Sequence, residues 1–151
     1  MYYFWKKDCE SGYYIKDPDY YLRQCFQKLI YRLNQPFIRV VQSSFTNVNI
    51  FDRPYLESLF GGVEYPDGTF AIDYVEDLIN IEKTFMDVVS GIRSVNMFTF
   101  PVITYSLLYQ NKHFVDAKFA RWCSDHNCKW NDANFFMSGD VTTLSNCCRL
   151  M

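Results

Sequence analysis

The residues best suited to chemistry stand near the carboxyl end, where Cys147, Cys148 and Arg149 follow one another in a stretch, Thr142 to Met151, with no hydrophobic period. A guanidinium beside a thiol favours the reactive thiolate, so a redox role is one reading of the pair. Two buried cysteines acting as small hydrophobes is another. A third is metal ligation, because Cys123, His126 and Cys128, with Cys147 and Cys148, offer soft ligands. Their spacings, C-x-x-H-x-C and C-C, depart from the paired C-x-x-C knuckles of structural zinc sites, so no metal ligands are expected. A cysteine hydrolase would need His113 or His126 to meet a thiol in space, and a lone histidine is more often a surface or capping residue. No phosphate loop, dinucleotide-binding glycine pattern or H-E-x-x-H occurs in the sequence. One further stretch attracts notice: Gln42-Ser43-Ser44-Phe45-Thr46-Asn47 is dense in short hydrogen-bonding side chains. It reads either as an ordinary turn capped by its own side chains or as a polar floor for a ligand at a strand end.

Elements that would position these residues follow from periodicity. Asp17-Pro18-Asp19 has the form of a helix start, and apolar residues recur at three- and four-residue steps from Tyr21 to Leu33 before Asn34-Gln35-Pro36 stops them. Phe37 to Val41 and Val48 to Phe51 read as short strands flanking the polar stretch. Asp52 to Phe60 reads as a capped helix ended by Gly61-Gly62, and Tyr65 to Gly68 as a turn. Asp73 to Arg93 carries a broad apolar face with acids in its first turns, a long helix. Phe98 to Tyr105 suits a buried strand, with Pro101 implying a bulge or sheet edge. A helix opening at Asp116 and a strand over Ala133 to Met137 complete the pattern. Strands alternating with helices predict an α/β fold with a mainly parallel sheet or part of a barrel.

Composition narrows the partners. The 151 residues are 49% hydrophobic, and 15 Lys and Arg against 17 Asp and Glu leave a net charge of −2 with no basic stripe, so nucleic acid is not an expected partner. No apolar run reaches the roughly 20 residues of a bilayer crossing, and the amino terminus lacks the form of a secretory leader. A cytoplasmic location, no membrane partner and free thiols at Cys9, Cys25, Cys123, Cys128, Cys147 and Cys148 are expected.

Three segments, Gln42-Ser43-Ser44-Phe45-Thr46-Asn47-Val48, Phe98-Thr99-Phe100-Pro101-Val102-Ile103-Thr104 and Leu144-Ser145-Asn146-Cys147-Cys148-Arg149-Leu150, together resemble consecutive signatures of the anaerobic, class III ribonucleoside-triphosphate reductases. The resemblance spans Tyr31 to Leu150 and is loose over the first thirty residues. It implies part of a ten-stranded α/β barrel of the glycyl-radical type, incomplete on its own. Residues 1–151 would form one partial catalytic-barrel domain, with 1–34 a helical lead-in and 35–151 strand and helix units ending in the finger loop.

By the same resemblance Cys148 would be the thiyl-radical residue that takes hydrogen from the ribose 3′ carbon. Cys147 would be its neighbour on the substrate side, Ser43, Ser44 and Asn47 would contact the nucleotide, and Phe100 and Pro101 would shape the barrel wall. The substrate implied is a ribonucleoside triphosphate, reduced for deoxyribonucleotide biosynthesis and DNA replication. The family's glycyl radical, raised by an iron-sulfur and S-adenosylmethionine activase, its structural zinc and its ATP or dATP effectors have no counterpart motif in this chain. The expectation is therefore a split subunit or an interrupted piece. It would need a complementing chain with the glycyl-radical loop, within an enzyme expected to be a homodimer. A non-catalytic relic or assembly module that binds a reductase partner, and a small zinc-binding protein, are the alternatives.

Overall fold

The computed structural model describes residues 7, 10–12, 17–35 and 45–145. Helix α1 runs Pro18–Leu33. Its start is fixed by Asp17, whose Oδ1 accepts the Asp19 and Tyr20 N–H groups at 3.1 and 3.4 Å, and Pro18 occupies the first turn where no amide partner is needed. Strand β1 covers Asn47–Phe51, and Asp52 directly after it caps helix α2, Arg53–Phe60. Helix α2 ends at Gly61, where a Cβ would run into the Glu57 carbonyl oxygen, so no other residue fits that close approach.

A 3-10 turn over Ala71–Tyr74 leads into α3, Val75–Arg93, with Glu76 and Asp77 in its first turn and Arg93 in its last, the charge order that the helix dipole favours. Strand β2 is Val102–Gln110. A two-residue turn with positive φ at Asn111 and Lys112 returns the chain into the short strand β3, His113–Phe114, antiparallel to the end of β2. Helix α4, Ala117–Trp130, is capped by Asp116 and stopped by Asn131 in the left-handed region, and β4 is Asn134–Ser138.

Strands β1, β2 and β4 are parallel with β2 in the middle, Asn47 opposite Val102 and Thr104 opposite Asn134. This is the mainly parallel α/β arrangement expected from the sequence. One expectation is corrected. Pro101 lies ahead of β2, so its missing N–H costs no ladder bond, and β2 is central where a bulge or an edge was predicted. The peptide bond Phe100–Pro101 is cis. The strand predicted over Phe37 to Val41 lies outside the described residues.

Side chains alternate across the sheet, and only one face packs on the helices α3 and α4. Val48, Ile50, Ile103, Tyr105 and Leu107 face Met86, Val89 and Ile92 of α3 and Phe119, Ala120 and Cys123 of α4 in one apolar core. Helix α1 packs on the outside of α3 through Phe26, edge-on to Phe85 at 5.2 Å. Asn34, at the end of α1, pairs its amide with the backbone of Phe100, donating to the carbonyl at 2.6 Å and accepting the N–H at 3.1 Å.

Candidate functional site

The other face of the sheet gathers a cluster of polar side chains among Phe51, Val102, Leu108 and Phe136. By alternation and register it carries Asn47 and Asn49 from β1, Thr104 and Ser106 from β2, and Asn134 and Ser138 from β4. Thr104 and Ser106 are buried even so. Two polar atoms here, Asn47 Oδ1 and Ser106 Oγ, are buried without a hydrogen-bond partner, which is costly unless something supplies one. The Asn47 amide nitrogen points along its own strand to Asn49 Oδ1 at 3.4 Å.

The chain beyond β4 lies against this face. Asn49 donates through Nδ2 to the Ser145 carbonyl at 3.2 Å, and Ser145 Oγ donates back to Asn49 Oδ1 at 2.7 Å. Tyr55, wholly buried in the first turn of α2, places its hydroxyl 2.8 Å from the Thr143 carbonyl and 3.1 Å from that of Asp140. Burial pushes its phenol up, so the proton stays available for donation. Asp140 itself folds the stretch: its carboxylate accepts the Thr142 N–H at 3.1 Å and the Thr142 hydroxyl, which hold it below the usual carboxylate range.

The framework under these contacts is built from two buried carboxyl groups. Asp52 accepts the Tyr55 N–H at 3.3 Å and, across the sheet, the Leu108 N–H at 2.7 Å. Glu82 of α3 accepts the Phe51 N–H at 3.0 Å. Burial raises both above the ordinary carboxyl range, Glu82 well above it.

Of the residues singled out in the sequence, Asn47 is on the polar face at the amino end of β1, the end opposite to the carboxyl strand ends where α/β folds usually hold ligands. Phe100 meets Phe45 edge-on at 5.2 Å, and Pro101 is buried. Gln42, Ser43, Ser44, Cys147, Cys148 and Arg149 lie outside the described residues.

His113 is exposed, but His126 is not the surface or capping residue expected; it is buried between α3, α4 and β2. Its Nδ1 lies 3.0 Å from the Tyr105 hydroxyl and its Nε2 3.3 Å from Ser90 Oγ, which in turn donates to Asp132 Oδ2 at 2.5 Å. The Ser90 hydroxyl has one proton for two acceptors, Asp132 Oδ2 and the Met86 carbonyl at 2.8 Å, and the tautomer of His126 sets which partner donates in its contacts with Tyr105 and Ser90. Ser, His and Asp are all present, and Asp132 Oδ1 also lies 3.9 Å from His126 Nδ1, but Ser90 is enclosed with its hydroxyl engaged by Asp132 and the Met86 carbonyl, so this is a buried strut and not an accessible nucleophile with its base. Cys123, one helical turn away, is fully buried with its thiol pushed up by desolvation, whereas Cys128 is exposed. Among the described residues no group of three or more His, Cys, Asp or Glu is placed to hold a metal ion. None of the described helices is long and apolar enough to cross a membrane.

The family profile described as anaerobic ribonucleoside-triphosphate reductase matches residues 1–151. The chain belongs to the anaerobic ribonucleotide reductases. No curated protein matches it. Solved structures agree. The anaerobic ribonucleotide reductase from Thermotoga maritima with glycerol in the active site is 45% identical, with a TM-score of 0.88 over 99% of this chain and 25% of that one. The same enzyme with citrate in the active site gives 44% identity and a TM-score of 0.85 over 93% of this chain and 25% of that one. Its complex with dATP and CTP gives 44% and 0.87, over 97% and 24%. The chain thus spans about a quarter of the reductases it matches, and its mixed α/β fold corresponds to part of the reductase catalytic barrel.

Proposed function

We propose that this chain is a segment of the catalytic barrel of an anaerobic ribonucleotide reductase, inactive without the remaining chain, and that it supplies Cys148 as the thiyl-radical residue. The observation that carries the assignment is the tie between Asn49 and Ser145, which brings the chain onto the polar sheet face only three residues before Cys148. Asn47 and Ser106, with a buried acceptor and a buried hydroxyl unpaired on that face, support it as the wall that meets the ribonucleoside triphosphate. Ser43, Ser44 and Cys147 are the further substrate-side candidates.

In this reading the Cys148 sulfur radical takes the hydrogen atom from the ribose 3′ carbon. An S–H bond forms, a C–H bond breaks, and the unpaired electron moves to the sugar. The 2′ hydroxyl then leaves as water with one added proton. An external two-electron reductant fills the vacancy at the 2′ carbon, and the thiol returns its hydrogen atom to the 3′ carbon. The glycyl radical of the complete enzyme supplies the initial unpaired electron. We place that glycine, the structural zinc and the ATP or dATP effector site in the rest of the reductase, supplied in cis or by a complementing chain within a cytoplasmic homodimer.

The test is anaerobic purification of the polypeptide from its source cells, followed by turnover of ribonucleoside triphosphate by the intact assembly with and without Cys148→Ser. Loss of turnover with the glycyl-radical signal retained is expected. Full turnover by the serine variant overturns the radical assignment.

A further inference from the structure

We propose that Asn49 and Tyr55 are positioning residues that fix the chain entering the Cys148 segment, an assignment that rests on the reductase reading above. Residues 139–145 form no helix or strand, so their place is set by side chains reaching them from elsewhere. Gln110 donates to the Gly139 carbonyl at 2.9 Å, and two others reach the stretch from one short run of sequence. Asn49 uses both ends of its amide on Ser145, and Tyr55 uses its hydroxyl on the Thr143 and Asp140 carbonyls. These partners are 85 to 96 residues away in sequence.

The run from Asn49 to Tyr55 is suited to the task because its own position is over-determined. Asn49 lies in β1 opposite Thr104 of the central strand. Phe51 N–H is held by Glu82, and Asp52 N–H donates to the Ser106 carbonyl at 3.3 Å. The Asp52 carboxylate bridges Leu108 of β2 and Tyr55 of α2. The Tyr55 ring lies 5.5 Å from that of Phe51. The platform is therefore tied to β2 and α3, and the loop is tied to the platform.

The chemistry of each contact restricts its replacement. A phenol has a single proton, so Tyr55 shares one donor between two carbonyls, and phenylalanine would leave both without it while filling the same space. An aspartate at position 49 would still accept from the Ser145 hydroxyl but would turn a carboxylate oxygen toward the Ser145 carbonyl. Residue 148 stands three positions past Ser145, within about 10 Å of chain. A misplacement of about 1 Å at a reacting atom costs on the order of a hundredfold in rate.

The experiment uses the assembled, activated reductase carrying Tyr55→Phe, Asn49→Asp or Ser145→Ala. It measures the glycyl-radical signal, the KM for ribonucleoside triphosphate, kcat, and the isotope effect on kcat with 3′-deuterated substrate. Positioning predicts a full radical signal, a KM close to wild type, kcat lower by about tenfold to a hundredfold, and a larger isotope effect because hydrogen-atom transfer becomes the slow step. Ser145→Thr, which keeps the hydroxyl, should recover most of the loss. Wild-type kcat in all three variants overturns the proposal. So does a kcat loss matched by loss of radical signal, or a rise in KM that accounts for the whole effect. Ser145→Ala alters only the loop side of the contact, so it tests positioning even where a platform variant fails to assemble. Full activity of Cys148→Ser in the same assembly would overturn the reductase reading itself, a separate result.

Discussion

The Glu82 carboxylate accepts the backbone N–H of Phe51 at 3.0 Å, and its second oxygen is buried with no partner. A helix side chain thus finishes the hydrogen bonding of a strand's last residue, at the cost of burying an acid. Burial raises the Glu82 pKa well above its ordinary 4.5, so the protonated form is favoured in the folded state. The stabilising contribution is complete below pH 4.5 and is lost as pH rises through the raised value. Glu82→Gln keeps an acceptor for Phe51 and removes the charge. The variant should melt above wild type at about pH 8, with the difference shrinking toward about pH 5, as thermal unfolding followed at both values would show.

Asp52 uses its two oxygens on two different amides, Tyr55 and Leu108. Asparagine retains one oxygen and turns an NH2 group toward the other amide. Asp52→Asn should therefore destabilise by roughly 1–3 kcal/mol despite its near-identical shape. Urea unfolding midpoints check this, and a midpoint equal to wild type would contradict the two-amide clamp.

Removing the Tyr105 hydroxyl leaves His126 Nδ1 buried without its 3.0 Å hydrogen-bond partner. Tyr105→Phe should cost about 1–3 kcal/mol, with almost no change in apolar area. Desolvation holds the phenol far above its ordinary titration range, so this contact should persist at high pH, where an exposed tyrosine ionises. Ultraviolet titration of the phenols at alkaline pH reports it directly, Tyr105 being expected to ionise only on unfolding.

Thiol reactivity should follow burial. Cys128 is exposed and Cys123 is fully enclosed with its thiol pushed up. Iodoacetamide at neutral pH should label Cys128 in the native protein and Cys123 only after denaturant is added, as peptide mass mapping would show. Equal labelling of the two in native conditions would refute the enclosed core around α4.

Much of this architecture is legible in sequence wherever cause and effect lie within one turn of chain. Asp17, Asp52 and Asp116 precede their helices, and each caps the helix it precedes. The parallel sheet follows from strands alternating with helices, and the motifs around Asn47, Phe100 and Cys148 point to the reductase family that the profile and the solved structures show. Local patterns do not reveal distant partners. His126 has no nearby residue that announces Tyr105 or Ser90, 21 and 36 positions away. Asn49 looks like one polar residue in a short strand, though its partner stands 96 positions on. Glu82 does carry a faint signal, because it falls three residues after Ile79 and three before Phe85, on the buried stripe of α3. An acid on such a stripe marks a buried polar contact, but nothing local names Phe51 as the group it meets. Pro101 misleads for a different reason: a proline one residue before a central strand reads like a proline within an edge strand until the ladder is seen.

The order of the strands also dictates when the sheet can come into being. Asn47 pairs with Val102, and Thr104 pairs with Asn134, so each ladder joins residues separated by an intervening helix. While the polypeptide emerges from a ribosome, β1 has no partner among the described strands until β2 follows α3 out, and α3 can wind on local contacts long before that. Folding of this region should accordingly be slow and helix-first, with the polar strands of the future wall held open until their shared neighbour arrives.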